Sequence, residues 1–222
     1  LHRLVALRSS RRSTSVVLDK DDVFVPRSYP EACGSSVSQW VDATEKCVAD
    51  LSEADVGQWV RLESWMRPIS SRFVYQIKRR IGNTLEAFCR WTPRGFEEQP
   101  GVHYDPDNIF AATPQTGVIR FIFNRALSRG DDTFHIDFKR AFSHSPIDKK
   151  VHVRMPKGYE VRDEDGCELV LCLDKSSEGL KQSAAMWSQH LSKHLRAAGF
   201  EQCEKEPCLW RLTLENGGFV AV

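Results

Sequence analysis

Apolar and polar positions change period several times along this chain, and each change marks an element. From Val37 to Leu51 the positions Trp40, Thr44, Cys47, Val48 and Leu51 recur at helical spacing, with Ser36 placed to cap the start. From Phe73 to Trp91 the period shortens. A strand-like run over Val74 to Ile77, the turn-forming pair Gly82-Asn83 and a returning run over Leu85 to Trp91 predict a β-hairpin. Thr113-Pro114 then offers a cap and a first-turn proline to a helix with Val118, Phe121, Ile122 and Arg125 at periodic positions, closed by Gly130. Residues 134–138 alternate strictly: Phe134, Ile136 and Phe138 fall on one face, His135 and Asp137 on the other. That alternation predicts a strand whose apolar face is covered by neighbouring helices and whose Asp137 looks into an open cleft.

Beyond it, a loop containing Pro146 leads to a strand over 151–155, closed by Pro156 and Gly158. Asp163-Glu164-Asp165-Gly166 reads as a turn and 167–173 as a second apolar strand. Ser183 is placed to cap a helix over 184–198 with Trp187, Leu191, Leu195 and Ala198 on its apolar face, ended by Gly199. Residues 208–214 and 219–222 around a Glu215–Gly218 turn predict a last hairpin whose final strand reads as unfinished. No internal repeat is visible. A flexible Ser/Arg-rich segment at 1–36 and a helical lead-in at 37–69 precede this run of strands and helices. That first segment reads as a solvated tail or as a basic arm.

Composition narrows the function less than the pattern narrows the fold. With 41% hydrophobic and 27% charged residues over 222 positions the chain is globular in type. Its net charge of +1 excludes a global basic field, so any polyanion site must be a local patch. Seven cysteines at irregular spacing do not form a disulfide framework, and a reducing, intracellular setting is expected. No apolar run approaches the roughly 18 residues of a membrane span. The first residue is Leu1 rather than Met, so targeting is not readable.

Two stretches carry chemistry that periodicity leaves unexplained. One is Asp137-Phe138-Lys139-Arg140-Ala141-Phe142, and the other is Gly179-Leu180-Lys181-Gln182, followed by Ser183 and Trp187. Taken alone, an Asp at a strand end is an ordinary solvated residue, and a polar loop before a helix needs no function. Together, and followed by the apolar run that ends at Val222, they resemble the polymerase core of a Ty1/copia-type retrotransposon reverse transcriptase. In that family an Asp-Val-Lys-x-Ala-Phe strand end is followed by Tyr-Gly-Leu-Lys-Gln and then by a strand leading into Tyr-Val-Asp-Asp. The likeness spans about residues 70–222, and the last motif is not reached.

The resemblance implies an α+β fold over 70–222, with right-hand polymerase fingers and palm and a ferredoxin-like palm sheet, incomplete at the C-terminus. It implies RNA-directed DNA polymerase activity: templated addition of dNTPs to a primer by two-metal catalysis with Mg2+ (or Mn2+), inactive in this stretch alone for want of the second aspartate pair. By the match of Asp137 to Phe142, Asp137 corresponds to the first metal-binding, catalytic aspartate, and a carboxylate is the hard oxygen ligand that magnesium takes. Phe138 and Phe142 would border the nucleotide, with Phe142 under the incoming sugar excluding a 2′-hydroxyl, or else Phe142 is a core residue. Gln182 would contact the nucleotide beside a helix N-terminus. Arg90 corresponds to an arginine gripping the triphosphate, followed by Arg94-Gly95-Phe96 where the family has Lys-Gly-Phe. Lys78, Arg79, Arg80 and Lys181 would contact nucleic acid, although the first three also read as a solvated turn.

Two departures stand out. The family lysine two residues before the arginine is Phe88, and its Leu-Tyr before the glycine is Ser177-Glu178. Expected partners are an RNA or DNA primer-template and the rest of a Gag-Pol polyprotein, including integrase and RNase H. A decayed or domesticated nucleic-acid-binding remnant without catalysis is the alternative, separable by the sequence after Val222. His190 and His194 at helical i,i+4 spacing, with Cys203 and Cys208, invite a zinc reading, but the Cys spacing is wide of structural zinc sites.

Overall fold

The structure is a computed structural model that describes residues 24–35, 38–79, 85–215 and 218–222. Two helices lead in. In α1 (Tyr29–Gly34) the Glu31 amide donates to the Ser28 hydroxyl at 3.4 Å, and Pro30 sits in the first turn, where its missing N–H costs nothing. Next, α2 (Gln39–Glu53) buries Trp40, Thr44 and Cys47, the positions its periodicity picks out. Its N-cap is Ser38, while the expected cap Ser36 lies outside the described residues.

After β1 (Gly57–Arg61), the strands β2 (Ser71–Arg79) and β3 (Leu85–Pro93) form the expected antiparallel hairpin, with Phe73 opposite Trp91 and Tyr75 opposite Cys89. The Gly82-Asn83 turn and Arg80 fall outside the described residues. Alternation divides the hairpin into two faces. Phe73, Tyr75, Cys89 and Trp91 are buried against α2, where the Trp40 and Tyr75 rings meet edge to face at 5.7 Å. The Thr44 hydroxyl donates to the Trp40 carbonyl at 2.8 Å and lies 3.0 Å from the Tyr75 hydroxyl. The Trp91 amide donates to Cys47 Sγ at 3.1 Å. Gln76, Lys78, Glu86, Phe88 and Arg90 occupy the outer face.

Helix α3 (Thr116–Arg129) begins two residues after Pro114, with Gln115 rather than Thr113 at its N-cap, and ends at Gly130 as expected. The Gln115 amide reaches buried Glu206 Oε2 at 3.3 Å. Strand β4 (Pro146–Val153) starts earlier than the pattern implied, with a register shift between Pro146 and Val151. A proline is tolerated as the first residue of a strand. A four-stranded antiparallel sheet then forms in the order β1-β6-β4, with β5 (Val161–Arg162) also on β6 (Glu168–Lys175). Its central strand β6 buries Val170, Leu171, Cys172 and Leu173 in a row, as a strand covered on both faces does. Val151, Val153, Leu171 and Leu173 join Trp40, Phe73 and Trp91 in one core.

Helix α4 (Ser183–Ala197) follows, and β7 (Glu201–Gln202), β8 (Trp210–Thr213) and β9 (Phe219–Ala221) make a separate three-stranded sheet containing the last hairpin. Ser183 is the first residue of its helix rather than the cap. Its hydroxyl donates to the Ser177 carbonyl at 2.6 Å.

The expected strand at 134–138 is not formed. Residues 131–138 have no regular structure, and Phe134, Ile136 and Phe138 are 88%, 73% and 50% exposed. No described strand lies alongside to accept its ladder of hydrogen bonds, and an unpaired strand has no reason to persist. Helix α3 likewise leaves Phe121, Phe123 and Leu127 exposed. Residues 134–138 and the last hairpin therefore share no sheet among the described residues.

The Thr44–Tyr75 contact yields an asymmetric expectation for urea unfolding. Thr44→Val strands the buried Tyr75 hydroxyl and should cost about 1–3 kcal/mol, whereas Tyr75→Phe leaves Thr44 bonded to Trp40 and should cost about 0.5–1.5 kcal/mol. Equal costs would show that the hydroxyl pair does not hold α2 to the hairpin.

Candidate functional site

The loop that enters α4 is locked to the end of the hairpin by backbone contact. A Cβ on Gly95 would collide with the Gly179 carbonyl oxygen, and a Cβ on Gly179 would lie 2.5 Å from the Pro93 carbonyl oxygen. Gly179 also has φ +102°, a conformation that L side chains rarely adopt. Only two glycines allow this approach. Glu98 closes the joint: its Oε2 accepts from the Lys181 amide at 2.8 Å, and Lys181 Nζ donates to the Glu98 carbonyl at 3.2 Å. The Lys181 ammonium also sits 4.9 Å from the Tyr104 ring centroid.

Gln182 is fully enclosed and donates from Nε2 to the His103 carbonyl at 3.1 Å. In this arrangement it offers no open surface for the expected nucleotide contact, and its placement follows from the short loop that turns it inward. Among the described residues, Gln182 Oε1 and Glu98 Oε1 are both buried without a hydrogen-bond partner. Burial pushes the Glu98 carboxyl above its ordinary range, against the lowering effect of the Lys181 amide and the neighbouring Gln182 side chain.

This joint sets Arg90 of β3 against Glu178, with Nη1 and Oε2 2.5 Å apart. On the same hairpin face the Lys78 ammonium lies 3.2 Å from the centre of the Phe88 ring, a cation–π contact at the position where the expected clamp lysine is replaced. Arg79 is exposed beside it at the end of β2.

Asp137, Phe138 and Phe142 lie on the connection from α3 to β4. Asp137 is exposed, while Phe138 packs edge-on to Trp187 of α4 at 5.3 Å. Phe142 is half-buried in a single 3-10 turn over Ala141–His144. Arg140 anchors this connection to α2. It has φ +53°, and its guanidinium meets Asp50 Oδ2 at 2.7 Å and the Asp50 carbonyl at 3.1 Å.

Among the described residues no three His, Cys, Asp or Glu side chains gather around a point where a metal would sit. Asp137 by itself offers one hard ligand, which does not make a magnesium site. The His190 and His194 rings meet at 4.6 Å without joining Cys203 or Cys208 in such a group. No described helix is long and apolar enough to cross a membrane.

Sequence reading overlooked Glu98, His103 and Tyr104. Their signal is weak. A glutamate three residues after Gly95 looks like surface until the close approach of Gly179 buries it.

The family described as reverse transcriptase (RNA-dependent DNA polymerase) matches residues 55–220. The chain is 26% identical over 215 residues to the retrovirus-related Pol polyprotein from transposon TNT 1-94 of Nicotiana tabacum, covering 95% of the chain and 16% of that protein. It is 25% identical over 133 residues to the Pol polyprotein from transposon RE2 of Arabidopsis thaliana, covering 60% of the chain and 9% of that protein. For transposon RE1 of the same plant the figures are 24% over 145 residues, 65% and 10%. The chain thus spans a sixth or less of these relatives' length. No solved structure matches it.

The Glu98 site predicts a pH dependence. A carboxyl whose folded pKa lies above its unfolded value, about 4.3, stabilises the fold below that value and loses the contribution as pH rises through the folded pKa. The natural chain should therefore lose melting temperature relative to Glu98→Gln, which carries no charge at any pH, as the pH rises above the ordinary carboxylate range. A parallel pair of melting curves would contradict the assignment.

Proposed function

The chain belongs to the reverse transcriptase (RNA-dependent DNA polymerase) family, and we propose that it is the polymerase segment of a Ty1/copia-type Pol polyprotein. In this reading it adds deoxynucleotides to a primer on an RNA or DNA template. The observation that carries it is the joint between hairpin and loop, which presents Arg90 beside residues 178–182, within a family match that also spans Asp137 to Phe142.

We read the β2–β3 hairpin and the four-stranded sheet as fingers. Helix α3, the 131–145 connection, α4 and the small sheet are read as elements of a palm whose ferredoxin-like sheet is assembled with further sequence. Arg90 would hold the phosphates of the incoming nucleotide. Lys78 and Arg79 would follow template phosphates near the tip, with Arg80 beyond the described residues. Lys181 has its ammonium turned to Glu98 and Tyr104, so its part is to hold the loop, and Gln182 supports that loop from behind.

Asp137 would be the first metal-binding carboxylate. One carboxylate does not complete a site for Mg2+ or Mn2+, so the chemistry is proposed for the longer polyprotein rather than for these 222 residues alone. The remaining Gag-Pol segments, integrase and RNase H among them, would be its covalent neighbours.

Two substitutions test the reading in a chain extended to include the downstream segment. Asp137→Asn should reduce primer extension with magnesium to the level of a no-enzyme blank while primer-template affinity is kept, because phosphate contacts dominate that affinity. Extension that survives the change would remove Asp137 from the reaction.

Phe142→Val should admit ribonucleotides. Steric rejection of about 1–3 kcal/mol from an overfilled site corresponds to roughly fivefold to 150-fold in the ratio of ribo- to deoxynucleotide incorporation. A core role instead predicts an unchanged ratio and a depressed melting point, since truncating a core aromatic costs about 3–5 kcal/mol.

A further inference from the structure

We propose that Glu178 is a built-in competitor at this site that sets how tightly it takes a polyphosphate: its carboxylate occupies the Arg90 guanidinium in the place of a ligand phosphate. A polyphosphate then binds only by displacing it. The proposal rests on the reading of Arg90 as a triphosphate contact.

Three observations converge on it. The ion pair joins two groups that are 41% and 46% exposed, so a ligand from solvent can reach both. Each stands on a fixed mount. Arg90 is held in register opposite Val74 and lies between buried Cys89 and Trp91. Glu178 lies between buried Ser177 and Gly179, whose backbone is pressed against Pro93. Displacement must therefore come from side-chain rotation rather than from the loop swinging away.

Three neighbouring cations are engaged elsewhere, while Arg72, opposite Thr92 on the same hairpin face, is exposed to solvent. The Lys181 ammonium is bonded to the Glu98 carbonyl, the Lys78 ammonium covers the Phe88 ring, and Arg94 faces Glu97 at 4.0 Å. Arg90 is the cation that Glu178 neutralises.

The energetics favour competition over a permanent block. An exposed ion pair is weak and salt-sensitive, so multiple phosphate charges can open it. Once opened, the carboxylate stays within a few ångströms of those charges and repels them. Removing its charge should tighten polyphosphate binding by about tenfold at low ionic strength.

The test is calorimetric titration of the 222-residue chain with dTTP and, separately, with inorganic tripolyphosphate, at low and high salt. Glu178→Gln should bind both about tenfold more tightly than the natural chain at low salt, with the advantage shrinking at high salt. Its melting temperature should stay within about 2 °C of the natural value, as an exposed pair contributes little to stability. In an Arg90→Gln background the gain should vanish.

Equal or weaker binding by Glu178→Gln would overturn the proposal. So would a gain that persists without Arg90, a gain confined to dTTP, or no binding by any variant. The experiment needs no catalysis, which separates it from the polymerase reading. Failure of Asp137-dependent extension with the Glu178 gain intact would sink that reading alone, and the reverse pattern would sink Glu178 alone.

Discussion

The close approach of Gly95 and Gly179 is the constraint on which the candidate site depends. Two backbones meet there with no room for a β-carbon on either, so the last residues of β3 and the loop before α4 behave as one body. The consequences are electrostatic as well as steric. Glu98 loses its water and takes the Lys181 amide instead, Gln182 is forced inward against His103, and Glu178 is left facing Arg90. A larger residue at either glycine would separate these groups and disturb the core as well, because Leu180 of the same loop packs in the core with Trp40, Tyr75 and Trp91.

That core was largely legible in the sequence, because its elements announce themselves by local period. The α2 stripe of Trp40, Thr44 and Cys47, the 73–91 hairpin and the apolar run of β6 all lie where their alternation put them. The strand expected at 134–138 shows the limit of the same logic. Alternation says which residues would share a face; it does not supply a neighbouring strand or a cover, and without them Phe134 and Ile136 remain in water. The opposite error touched β1, which is short and carries no strong period, yet pairs with β6 over its whole length.

The site was legible as motifs and not as contacts. Asp137 to Phe142 and Gly179 to Gln182 stood out, and Arg90 could be matched by position. Burial of Gln182 and the partnership of Arg90 with Glu178 depend on a backbone approach between residues more than eighty positions apart, which no local pattern encodes. The Glu178 departure was visible in the sequence, but its meaning needed the salt bridge. Lys78 over Phe88 is a similar case. Phe88 reads in the sequence as a departure from the family, and only the contact shows that the Lys78 ammonium of the opposite strand covers its ring.

The central claim is that the hairpin, the 178–182 loop and Asp137 belong to one nucleotide site. Its most direct test is a crystal structure of a chain extended through the downstream segment, bound to primer-template and an unreactive deoxynucleotide triphosphate with magnesium. The triphosphate should lie against the Arg90 guanidinium with Glu178 rotated away, and the Asp137 carboxylate should face the α-phosphate. A nucleotide bound remote from Arg90, or an Asp137 side chain pointing away from it, would contradict the account.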